Sequence, residues 1–95
     1  MRFESPILIT EQPVRRITLT CRVGQWPTRT HGAILVSQDG QEWRECCACV
    51  WGDKGRPVST LSVQFEQPIA VGTHVKGRAF SEQDFLAELE LTCQP

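Results

Sequence analysis

Apolar and polar side chains alternate with a period of two over most of this chain, and no other feature constrains its fold as strongly. From Arg16 to Val23, one row is Ile17, Leu19, Cys21 and Val23, and the other is Arg16, Thr18, Thr20 and Arg22. Successive side chains of an extended strand point to opposite faces, so this segment reads as a half-buried strand with one wet face. Leu61, Val63 and Phe65 alternate with Ser62, Gln64 and Glu66. Phe85, Ala87, Leu89, Leu91 and Cys93 alternate with Leu86, Glu88, Glu90 and Thr92. Ala33–Ser37 reads as a short continuous apolar strand, and Ile7–Ile9 and Val75–Phe80 as weaker ones. Only SEQDFLAELEL invites a helix, with Ser81 and Asp84 spaced as a capping pair. Its apolar residues fit a period of two better, so a strand is expected from about Phe85.

Breakers separate these runs: QP at 12–13 and 67–68, WPT at 26–28, DG at 39–40, GDKGRP at 52–57 and VG at 71–72. Proline removes a ladder donor, and Gly or Asp-Gly tolerates positive φ, so these sites are expected to end strands. Short strands with turn signals about every ten residues indicate an all-β antiparallel sandwich or barrel. With 95 residues the chain forms one small domain, residues 1–95.

Charge removes several classes of partner. Ten basic and eleven acidic residues are scattered along the chain, for a net charge of −1. No basic excess exists to displace counterions from a phosphate backbone, so nucleic acid is not an expected partner. No apolar run approaches a membrane span, so membrane insertion is not expected. MRFESPILIT does not match a signal peptide, and cytoplasmic synthesis without one is the expectation. Five cysteines are an odd count, and a reducing compartment leaves them as thiols.

Three of those cysteines fall in SQDGQEWRECCACVW, residues 37–51. Asp39-Gly40 lies between two strand-like runs, so the stretch predicts a β-hairpin with a type I′ turn. On a regular strand Cys47 and Cys49 share a face and Cys46 lies on the other. A tetrahedral zinc site needs four ligands converging on the metal, which C-C-x-C on one strand does not supply without a bulge. No C-x-x-C opens a helix, as redox chemistry would require. The thiols therefore read as small buried hydrophobes, with a Cys21–Cys93 disulfide as an alternative. One row holds Trp43, Glu45, Cys47, Cys49 and Trp51, the other Arg44, Cys46, Ala48 and Val50. Each contains a charge, so parity leaves open which row is inside.

The order of segments resembles the later part of discoidin domains, the coagulation-factor C-type branch of the galactose-binding-like jelly rolls. The residues that carry the likeness are Ile17, Leu19, Arg22, Ser37, Asp39, Gly40, Trp43, Phe65, Pro68, Val75, Arg78, Ala87, Glu88 and Leu89. The resemblance spans about residues 6–93 and implies a jelly-roll sandwich. The family's N-terminal third, which supplies some ligand-contacting loops, has no counterpart here, so glycan or lipid binding does not carry over with the fold.

For catalysis the chain offers little. His31 and His74 are its two histidines, and no G-x-S-x-G, H-E-x-x-H, P-loop or G-x-G-x-x-G is present. Asp53 and Asp84 are isolated, so no carboxylate pair is visible. No enzymatic activity, cofactor or metal is expected. What remains is recognition through loops. GQWPTRTH, residues 24–31, carries Trp26, Arg29 and His31; WGDKGRP, residues 51–57, carries Trp51, Asp53, Lys54 and Arg56. Trp and Arg are favoured anchors of protein interfaces, and Trp also stacks on sugars. The expected function is a non-catalytic interaction or structural module, a small subunit of a larger assembly such as a phage particle. Its partners would be other protein subunits, copies of itself included. A carbohydrate-binding module and a small inhibitor of a host enzyme or defence complex are the alternatives.

Overall fold

The computed structural model describes residues 1–23, 29–52, 58–83 and 85–95. Eight strands and no helix occur among them: β1 (Arg2–Glu4), β2 (Leu8–Ile9), β3 (Val14–Val23), β4 (Thr30–Ser37), β5 (Arg44–Trp51), β6 (Val58–Ile69), β7 (His74–Phe80) and β8 (Ala87–Gln94). They form two antiparallel sheets. One runs β1-β7-β4-β5, with β2 also on β7; the other runs β6-β3-β8. The chain is thus the antiparallel β-sandwich expected from its two-residue period. No helix of the described residues is long and apolar enough to cross a membrane.

The alternating row of β3 becomes the centre of the core. Ile17, Leu19, Cys21 and Val23 are buried, while Arg16 and Arg22 are exposed. β3 is the middle strand of its sheet, so its inward row is flanked on both sides. Leu19 lies opposite Leu61 of β6 and Leu91 of β8; Ile17 lies opposite Val63 and Cys93. The facing sheet contributes Ile34 and Val36 of β4 and Val75 and Ala79 of β7. Phe85 precedes β8 instead of opening it. Its ring still enters the core, edge-on to Phe3 with centroids 5.0 Å apart.

β4 is buried on both faces, which explains its unbroken apolar run. Ile34 and Val36 point into the core. Ala33 and Leu35 lie on the outer side, level with Arg78 and Lys76 of β7. Lys76 is ion-paired to Glu4 at 3.2 Å and Arg78 to Glu45 at 2.9 Å. Long charged side chains cover apolar surface with their methylene stems while their heads stay in water.

Two breakers act differently from their sequence reading. β6 continues through Pro68, which was expected to end it. Pro68 lies where the ladder is irregular: Val14 pairs with Ile69 and Arg16 with Gln64, leaving four β6 residues unmatched. Proline is tolerated at such irregularities and on edge strands, where its missing donor has no partner to lose. In the hairpin, Gly40 has φ 77° and no described residue other than glycine has positive φ. A type I′ turn needs two consecutive positive φ values, so that expectation is corrected. A six-residue loop, Gln38 to Trp43, joins β4 to β5 instead.

Candidate functional site

The hairpin loop is held by its own side chains. The Ser37 hydroxyl donates to Asp39 Oδ1 at 3.0 Å and accepts the Gly40 N–H at 2.9 Å. Asp39 Oδ1 also accepts the N–H groups of Gln41 and Glu42 at 2.8 and 3.0 Å. The donations from Glu42, Gln41 and Ser37 hold the Asp39 carboxyl below the usual aspartate range. Every member of this motif stabilises the turn, so its role is to shape the loop.

β5 answers the question that parity left open. Its register with β4 shifts between Ile34 and Leu35: Cys47 pairs with Ile34, Glu45 pairs with Leu35, and Cys46 is the extra residue. A β-bulge places two residues against one, so residues of equal parity on either side of it change faces. Cys47, Cys49 and Trp51 point inward with Ile34, whereas Glu45 points outward with Leu35. The Cys46 thiol donates to the Ile34 carbonyl at 3.3 Å.

All five cysteines are free thiols. Cys21 lies opposite Leu89 and Cys93 opposite Ile17, four residues away on β3. That offset is roughly 13 Å along the strand, beyond the reach of a disulfide. The Cys21–Cys93 alternative is therefore corrected. Burial pushes the Cys21 and Cys46 thiols up to about 11, with Cys49 and Cys47 respectively adding to the effect. Burial also raises Cys47, Cys49 and Cys93. Thiols so shifted are protonated at neutral pH. Among the described residues, no cluster of His, Cys, Asp and Glu is arranged to hold a metal ion.

Of the seven candidate recognition residues, Trp26, Asp53, Lys54 and Arg56 lie outside the described residues. Trp51 belongs to the core: it is 9% exposed, and its Nε1 donates to the Thr60 carbonyl at 3.1 Å, joining the two sheets. Trp51 closes β5 opposite the buried Thr30, on the inward row with Cys47 and Cys49.

Arg29 and His31 remain, and both are exposed at one end of the sandwich. They line a shallow cleft of about 280 Å³ with Ser81, Glu82 and Gln83. Ser81 organises this end. Its hydroxyl donates to the Arg29 carbonyl at 2.8 Å and accepts the Gln83 N–H at 3.2 Å. Its N–H donates to the Met1 carbonyl at 3.0 Å, and the Met1 ammonium donates to its carbonyl. Ser81 itself is 1% exposed. In the sequence its only visible role was as a helix cap, so its use as a loop anchor had no readable signal there.

A second surface lies on the outer side of the five-stranded sheet. Arg2, Phe80, His31 and Val50 form one cross-strand row. Lys76 Nζ sits 4.4 Å over the Trp43 ring, which meets His74 edge-on. A depression of about 360 Å³ crosses the sheet over Ala33 and Ala48, walled by His31, Phe80, Arg78 and Glu45. Among the described residues, no hydrogen bond links either histidine to a serine, a cysteine or a carboxylate.

No protein-family model matches the chain, and no curated protein sequence matches it.

Proposed function

We propose that the protein is a non-catalytic interaction module that recognises another protein subunit with the end of the sandwich that bears Arg29 and His31. One observation carries this reading: the exposed Arg29 and His31 line one cleft, with the Arg29 carbonyl bonded to the buried Ser81 and His31 paired into β4. Backbone tied at these two positions has little conformational entropy to lose on binding, so a modest contact area yields useful affinity. Arg is also among the residues that dominate interface energies. The protonated thiols and the unlinked histidines support a binding role over a catalytic one. A subunit of a larger assembly, such as a virus particle, is the setting that fits such a module.

The discoidin-like resemblance is part of the same proposal. Its residues fall on successive parts of the sandwich: Ile17 and Leu19 on β3, Ser37 to Trp43 at the hairpin, Phe65 and Pro68 on β6, Val75 and Arg78 on β7, and Ala87 to Leu89 on β8. The sugar-binding alternative depends on Trp26 and Asp53, and no described feature favours it.

The test is photo-crosslinking in the native source, with a photoreactive side chain replacing Arg29 in one version and Thr92 on the far sheet in another. A single protein partner captured from position 29 and not from 92 supports the reading. Equal capture at both positions, or none at 29, contradicts it.

A further inference from the structure

His31 belongs to two depressions at once. It lines the end cleft with Arg29, and it walls the hollow over Ala33 and Ala48 on the outer face of the five-stranded sheet. The two adjoin at that ring. Strand register explains the hollow. Arg2, Phe80, His31 and Val50 form a row of long side chains across β1, β7, β4 and β5. Two residues along, Ala33 and Ala48 lie opposite each other, and Arg78 and Glu4 continue their row. Rows on one face of a sheet are about 7 Å apart, so two methyl groups form a floor beside a wall of rings. The Phe80 and His31 rings lean together with centroids 6.3 Å apart. Phe80 and Val50 are both exposed, so this wall presents open apolar surface.

Charge marks the chemistry of an occupant. Arg2 and Arg29 are exposed, and neither forms an ion pair among the described residues. Arg78 is neutralised by Glu45 at 2.9 Å. One further carboxylate, that of Glu82, lines the cleft and opposes the two arginines. Strand spacing puts the backbones of Arg2 and Arg29 within about 10 Å of that of His31. An apolar floor thus lies between two unpaired cations, in a chain whose net charge is −1.

We infer that this surface takes an acidic peptide segment of the partner, with carboxylates on Arg2 and Arg29 and an aromatic side chain over Ala33 and Ala48 against Phe80 and His31. The inference rests on the reading of the Arg29 end as a protein-binding site and extends that site onto the sheet. Arginine meets a carboxylate with two parallel N–H···O bonds, which ties the charge to a planar acid. A ring seated beside Phe80 and His31 gains edge-to-face or offset contact with both, beyond the apolar area it buries. A nucleic acid is a poorer fit, because a phosphate backbone is held by many cations and only two stand unpaired here.

Fluorescence anisotropy of the full chain with a labelled pentapeptide, two glutamates on either side of a phenylalanine, tests the inference. The peptide binds, and more weakly as salt rises. Changing its glutamates to glutamine, or its phenylalanine to glycine, weakens binding by about tenfold or more. Arg2→Gln in the protein weakens it similarly, whereas Glu82→Gln removes the opposing carboxylate and tightens it. Ala48→Leu fills the hollow from an exposed position on an edge strand. It weakens the phenylalanine peptide and leaves the glycine peptide unchanged. Far-ultraviolet circular dichroism confirms that each variant is folded. No binding, binding indifferent to the glutamates, or equal affinity for a single-stranded polythymidine of the same charge overturns the inference. Photo-crosslinking that captures a partner at position 29 while the peptide fails to bind overturns this inference alone and leaves the wider reading standing. Absence of capture there defeats the reading itself.

Discussion

The Trp51 indole lies flat against the backbone of Gly32, so close that a Cβ at position 32 would stand 2.7 Å from both Cζ2 and Cζ3. Neither partner has room to yield, because the ring is in the core and its Nε1 is bonded to Thr60. Gly32→Ala is therefore an overpacking substitution, costing about 1–3 kcal/mol. Urea denaturation measures it. Trp51→Phe, which vacates part of the space and removes the donor to Thr60, lowers the additional cost of Gly32→Ala when the two are combined.

Ser81→Ala separates presentation from contact. It deletes the donor to the Arg29 carbonyl and the acceptor for Gln83 without altering either exposed side chain of the proposed site. Losing these two part-buried bonds costs about 1 kcal/mol in stability. Partner affinity falls as well, although Arg29 and His31 are intact. Titration calorimetry with the captured partner reads this, and unchanged affinity would show that the anchoring is irrelevant to binding.

Asp39 gives a signed prediction at acid pH. Its folded pKa is depressed, so its contribution to stability is full above the unfolded aspartate value of about 3.9 and is lost as pH falls through the folded value. Carboxyl-resolved NMR titration finds an Asp39 midpoint below that of ordinary aspartates. Asp39→Ala loses the turn's acceptor and flattens the corresponding part of the acid-denaturation profile.

The thiols give the opposite sign. Cys21 and Cys46 have folded pKa values raised to about 11, so the stability tied to their neutral form is full below the unfolded thiol value of about 8.5. It is lost as pH rises from there towards about 11, because the unfolded chain ionises first. The denaturation midpoint therefore declines over that window. Cys21→Ala lowers stability at neutral pH by removing a buried group and makes the alkaline decline shallower. Ellman's reagent at pH 8 reacts far more slowly with the folded chain than with the unfolded one.

The rows of β3, β6 and β8 were legible because each strand has one wet face, which makes two-residue alternation visible. Ile17 and Leu19 could be placed in the core from spacing alone. β5 could not be oriented, because its decisive feature is one extra residue at Cys46, which arises from pairing with β4 and leaves no mark in composition. Trp51 could be read either as a loop anchor or as core packing, and its place at the end of β5 opposite the buried Thr30 puts it in the core. Pro68 looked like a terminator, since its harmlessness depends on β6 lying at an edge. Arg29 and His31 were readable as chemistry, but the serine bonded to the Arg29 carbonyl was not. Ser81 is fifty-two residues from Arg29 in the chain, and only the fold brings them together.

Size and partner analysis of the untagged chain from its native source shows whether the Arg29 end binds another protein. The chain is expected in a complex with another protein, from which Arg29→Glu with His31→Glu releases it while Thr92→Lys does not. Recovery as a free chain with no protein partner, or a complex indifferent to both substitutions, contradicts it.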